Sequence, residues 1–239
     1  MKSFILLIFA LLFSSSNGLT FEASPIINQI ENLNKITSTV NCPTCTDAQG
    51  LSHLKTTVLT DINSQKLELT VLSPAEADKL VAQFLNDKNI PFDYALDGCF
   101  ARAHKMAYLM QEKGIISGKA FVIGRLFANP KYGPVSWRYH VAPVVLVKIN
   151  DEIKPYIIDP ALFNKAVPYE EWRNLITGAS SMPGRSRAAR VIEYYTNRFI
   201  YDPTNAKTTL LEFQPADLAD ADATLARFQE IKKQLDGRK

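Results

Sequence analysis

Cysteine, histidine and tryptophan are all scarce in this chain: three, three and two copies in 239 residues. Cys42 and Cys45 form a Cys-Pro-Thr-Cys unit, but no Cys or His pair elsewhere completes a structural zinc site around it. There is no Lys/Arg run and no basic stripe interleaved with aromatics, and the net charge is only +3. That removes the argument for a nucleic-acid partner. No internal repeat or low-complexity tract stands out. The apolar run Phe4 to Phe13 falls short of the roughly 20 residues that span a bilayer. What remains is ordinary for a globular protein, with 46% hydrophobic and 21% charged residues, and the chain is long enough for one sizeable domain with its own core.

The N-terminus reads as a signal peptide over residues 1–18. Lys2 supplies the positive region, Phe4 to Phe13 the apolar one, and Ser14-Ser15-Ser16-Asn17-Gly18 the small residues before cleavage. The mature protein is therefore expected to be exported, either secreted or periplasmic, and a monomer. An odd number of cysteines in an exported chain needs an explanation. Pro43 and the polar surroundings place Cys42 and Cys45 in a loop, where they could close a small disulfide on each other. Cys99 is then the leftover thiol, a liability in an oxidising compartment unless it is used.

Residues 19–72 form a polar N-terminal segment, a possible pro-region, with one or two short strands between Leu54 and Leu72. A helix opens clearly at Ser73, which serves as N-cap, with Pro74 at the first position and Glu76 completing a capping box. A second helix begins at Cys99, directly after Gly98. Its residues Cys99, Ala103, Met106 and Met110 repeat at helical spacing, and Gly114 ends it. Strands are expected over 120–127, 136–149 and 154–159. The core runs from 73 to 205. A helical C-terminal extension occupies 206–239, with Leu218, Ala221, Leu225, Phe228, Ile231 and Leu235 at helical spacing from Pro215 onward.

Three residues in this layout point to chemistry. Cys99 stands at the positive end of a helix dipole, a setting that favours thiolate over thiol. His140 lies on one strand and Asp159 ends the next. A two-residue turn at Asn150-Asp151 pairs Ile149 with Glu152, which places Ala142 opposite Asp159 and makes His140 its diagonal neighbour on the same face. An odd loop length would break this parity. With that register, Asp159 fixes the tautomer of His140, and the other ring nitrogen faces Cys99, giving a nucleophile, base and orienter. By parity Trp137 lies on the opposite face from His140 and reads as core; Tyr139 is also off the catalytic face. His104, five residues past Cys99 and about 140° round the helix, reads as structural or exposed. His53 has no carboxylate partner.

Three stretches of this sequence resemble the bacterial protein-glutaminases (protein-glutamine deamidases). Asp97-Gly98-Cys99-Phe100-Ala101-Arg102-Ala103-His104-Lys105-Met106 is similar to that family's nucleophile motif. Val135-Ser136-Trp137-Arg138-Tyr139-His140-Val141-Ala142 is similar to its histidine strand, and Tyr156-Ile157-Ile158-Asp159-Pro160-Ala161-Leu162-Phe163 to its aspartate motif. Trp172-Arg173-Asn174 resembles a further landmark. The resemblance covers about residues 73–205. It implies an α+β fold with a papain- and transglutaminase-like core, in which the nucleophile helix packs on an antiparallel sheet. It also implies hydrolysis of glutamine side-chain amides in proteins or peptides with release of ammonia, through Cys99, His140 and Asp159 and without metal or organic cofactor. The cysteine-rich disulfides of the family have no counterpart around Cys99, and the charged C-terminal helix lies outside its pattern. The triad alone does not separate this activity from a cysteine protease or a transglutaminase on the same core. A secreted binding module with a merely buried Cys99 is the non-catalytic alternative.

Overall fold

The computed structural model describes residues 54–130, 133–178 and 189–236. Strands β1 (Lys55–Thr60) and β2 (Lys66–Leu72) come first, then helices α1 (Pro74–Leu85) and α2 (Cys99–Glu112). Strands β3 (Gly118–Ala128), β4 (Val135–Ile149), β5 (Glu152–Ile157) and β6 (Val167–Pro168) follow. Helix α3 (Tyr169–Thr177), strand β7 (Val191–Asn197), a short 3-10 turn (Pro203–Asn205) and helix α4 (Pro215–Asp236) complete the chain. The N-terminal apolar run, Cys42, Cys45 and His53 lie outside the described residues.

The sheet runs β1-β2-β4-β3-β7, with β5 on β4 and β6 on β5. All pairings are antiparallel except the short parallel contact of β2 with β4 at Val71–Leu146 and Leu72–Val147. The strands expected between 54 and 72 are β1 and β2, and they belong to this same sheet. One face carries α3: Tyr169, Trp172 and Ile176 pack with Leu59, Leu69, Val122, Val144 and Ile157. The other face carries α1 and α2, where Leu80, Val81, Phe84, Met106 and Met110 meet Val145 and Val147. The result is the expected α+β architecture with the Cys99 helix packed on the sheet.

Local chemistry explains the starts. Ser73 accepts from the Glu76 amide, and the Glu76 carboxylate accepts from the Ser73 amide at 2.8 Å, the reciprocal cap anticipated from sequence; such a cap is worth about 1 kcal/mol. The four residues of the α2 stripe, Cys99, Ala103, Met106 and Met110, are all buried. Ala101, Arg102, His104 and Ala107 are buried as well. The reason is α4: its Ala221 and Leu225 join the cluster of Ala101 and Met106, so α2 is covered by the sheet on one side and by a helix on the other. A helix enclosed in this way loses the one-sided pattern that sequence reading relies on.

His104 is accordingly structural and fully buried. Its Nδ1 lies 2.8 Å from Lys119 Nζ, which also donates to the Ile200 carbonyl. Burial, then the neighbouring Lys119 charge, pushes the His104 imidazole down to about 3. Burial likewise holds the Lys119 ammonium well below its ordinary range, against the pull of Asp217 and Asp202.

Candidate active site

The β4–β5 hairpin follows the register read from sequence. Ile149 pairs with Glu152 and Val144 with Ile157, across a two-residue turn whose Asn150 takes a left-handed conformation (φ 54°) that asparagine tolerates well. The Ile158 amide continues the ladder to the Pro143 carbonyl at 3.0 Å. This carries Asp159 to the level of His140, and His140 Nε2 lies 2.8 Å from Asp159 Oδ2.

The site is almost closed to solvent, with Cys99, His140 and Asp159 only 5%, 1% and 4% exposed. A carboxylate in such a place needs donors. Asp159 Oδ2 also accepts from Trp172 Nε1 at 2.8 Å, and Oδ1 from the Ala161 amide at 3.2 Å. Burial works to raise the Asp159 pKa, but His140 and the Trp172 hydrogen bond overcome it and hold the carboxyl below its ordinary range. For His140 the largest effect is again burial, which opposes charge. The Asp159 carboxylate and the Cys99 thiol outweigh it and raise the imidazole to about 9. The second ring nitrogen, Nδ1, is buried without a hydrogen-bond partner, and the Cys99 thiol is close enough to act on the ring. The structure thus brings Cys99, His140 and Asp159 together. Among the described residues no cluster of His, Cys, Asp and Glu is placed to hold a metal ion.

Both tryptophans of the chain flank His140. Trp137 stacks on the imidazole with centroids 4.5 Å apart and planes 15° apart, and Trp172 lies on it at 5.7 Å and 29°. The placement of Trp137 corrects the parity argument that put it on the opposite face. In the β3–β4 ladder Ile123 pairs with Tyr139 but Leu126 pairs with Trp137, so Gly124 and Arg125 together face Arg138 alone. This bulge switches the alternation of β4 between 137 and 140. Gly124 is required there by close approach: a Cβ would lie 2.9 Å from both the Arg190 carbonyl and a Val191 methyl. Tyr139, on the other side, packs in the cluster that contains Cys99 and Phe121.

The charge balance of the pair sets a pH dependence. Activity that needs protonated His140 is expected to hold through neutrality and to fall as pH rises through about 9. A kcat/KM profile whose alkaline limb lies near the ordinary imidazole value of about 6.5 contradicts this charge state.

A glutaminase family model matches residues 60–176. The solution structure of protein-glutaminase from Chryseobacterium proteolyticum is 30% identical, with TM-score 0.55, covering 66% of this chain and 89% of that one. A crystal structure of protein-glutaminase gives 30% identity and TM-score 0.53, covering 66% and 90%. A crystal structure of pro-protein-glutaminase gives 32% identity and TM-score 0.54, covering 64% of this chain; the chain spans only 56% of that longer form. No protein of curated function matches. At this identity over nearly the whole length of the Chryseobacterium structure, the chain belongs to the protein-glutaminase family.

Proposed function

We propose that this protein deamidates glutamine side chains in proteins or peptides, with Cys99 as nucleophile, His140 as general base and acid, and Asp159 as orienter. The observation that carries the reading is the buried His140–Asp159 pair at 2.8 Å beside the thiol at the start of α2. The Cys99 thiolate attacks the carboxamide carbon, and the C–N bond breaks as the imidazolium gives its proton to the leaving ammonia. Water, deprotonated by His140, then adds to the thioester, and glutamate leaves with the thiol restored. Free amides at the start of α2, that of Cys99 included, are the oxyanion donors. Trp137 and Trp172 keep water from the faces of the imidazole, which strengthens each charge interaction.

The proposed division is a signal peptide (1–18), an N-terminal segment (19–72) whose last part, β1 and β2, joins the core sheet and so limits any removable pro-region to the residues before β1, the catalytic core (73–205) and the helical extension (206–239). Export follows from the signal-peptide reading, and a monomer is the proposed state; no described helix is long and apolar enough to cross a membrane.

The test is incubation of the mature protein with a denatured glutamine-rich protein. Expected is ammonia release with a gain of about 1 Da per converted glutamine, because NH2 is replaced by OH, and no chain cleavage. Shortened chains indicate a protease, and cross-linked or amine-labelled glutamine a transglutaminase. No change of any kind overturns the enzymatic reading.

A further inference from the structure

Residues 91–98 lead into Cys99 without a helix or strand of their own, and three other elements hold them. From α2, Arg102 Nη1 donates to the Tyr94 carbonyl at 2.9 Å and to that of Pro91 at 3.4 Å. From β4, Trp137 Nε1 donates to the Ala95 carbonyl at 2.9 Å. The third hold comes from α4. Lys232 pairs with Asp93 at 2.7 Å, and the Phe228 ring stacks on Tyr94 with centroids 4.7 Å apart. The same ring covers Gly98: a Cβ at that position would lie 2.3 Å from Phe228 Cε2 and 2.8 Å from Cδ2. Gly98 itself is in the left-handed region, with φ 80°, which only glycine enters without strain.

We propose that α4 is a clasp on the nucleophile loop and that Phe228 is a positioning residue for Cys99, acting through Gly98 and Tyr94. The backbone angles of Gly98 set the direction in which α2 begins, hence the aim of both the Cys99 thiol and the first free amides. A flat ring against the Gly98 Cα leaves the loop no room to roll outward. Aim matters here because a misplacement of about 1 Å costs up to about a hundredfold in rate. Leu225, one turn earlier on α4, sits in the core with Ala101 and Met106, whereas the three atoms nearest a Cβ on Gly98 all belong to Phe228. The clasp lies outside the matched span 60–176. The inference rests on Cys99 being the nucleophile proposed above.

The experiment compares wild type, Phe228→Ala and Leu225→Ala in the full mature chain by kcat, KM, thermal unfolding and the rate of Cys99 alkylation by iodoacetamide, read on the Cys99 peptide. Phe228→Ala is expected to lower kcat by about tenfold or more with KM within about twofold, and to slow alkylation several-fold near pH 7. Leu225→Ala is expected to lose thermal stability to a similar degree while keeping kcat within about twofold. Wild-type kcat in Phe228→Ala, or an equal loss in Leu225→Ala, overturns the clasp. If Phe228→Ala does not fold, Phe228→Leu keeps the volume without the flat ring; a loss of about threefold is expected, and wild-type kcat overturns the proposal. Absence of ammonia release from wild type defeats the deamidase reading instead, and the alkylation rates then decide the clasp alone.

Discussion

Cys99→Ala is expected to release no measurable ammonia, a loss of at least about 10⁴-fold in kcat/KM, or about 5.5 kcal/mol of transition-state stabilisation. Among the described residues no other thiol is placed to substitute: Cys99 is the single cysteine there, and it stands at the start of α2. The fold should tolerate the change. Cys99 sits in a cluster with Ala103, Phe121, Val141 and Tyr194, and loss of one sulfur from a small side chain shifts the melting temperature by only a few degrees, about 4 °C or less. The measurement is ammonia release beside a thermal melt of the same sample. A folded Cys99→Ala protein that keeps more than about a hundredth of wild-type turnover removes Cys99 from the role of nucleophile.

Asp159→Asn is the second large effect, and it separates orientation from bulk. The asparagine keeps the shape and can still accept from Trp172 Nε1, but it removes the charge that holds His140 up near 9. A loss of about 10³- to 10⁴-fold in kcat/KM at neutral pH is expected, as for any triad whose base loses its orienting anion. The alkaline limb of the remaining activity should move to lower pH, because burial then acts on His140 with less opposing it. Trp172→Phe provides the graded comparison. It leaves the carboxylate in place and removes one of its donors, so about a tenfold loss is expected with a smaller shift of the limb. A profile unchanged by Asp159→Asn shows that the carboxylate does not govern the imidazole.

The parts of this site legible in sequence were those built from short-range rules. The helix at Cys99 followed from a glycine turn and a 3.6-residue stripe. The meeting of His140 with Asp159 followed from a two-residue turn and strand alternation, which needed no knowledge of the rest of the fold. What escaped depended on a second chain segment. Trp137 changed face because β3 carries an extra residue opposite Arg138, and nothing within β4 announces that. Trp172 reaches Asp159 from a helix on the far face of the hairpin, where only its likeness to a family landmark marked it. Lys119 and His104 are fifteen residues apart, and no spacing rule joins a strand residue to a helix residue. The role of Phe228 at Gly98 arises from packing between segments 130 residues apart in sequence. Helical periodicity identified Phe228 as an inward residue without indicating what it would cover.

One described histidine lies in the site and the other within α2, and together they shape how the fold responds to acid and base. His104 titrates near 3 when folded and near its ordinary value of about 6.5 when unfolded. Between those values the unfolded chain binds more protons, so acidification weakens the fold. His140 has the opposite sign. Its folded value near 9 makes the native state the better proton binder above about 6.5, so its contribution fades as pH rises. The histidines alone therefore place greatest stability close to the ordinary imidazole pKa. The buried Lys119, held well below its ordinary range by burial, acts in the same sense as His104: the unfolded chain is the better proton binder, so its contribution grows as pH rises.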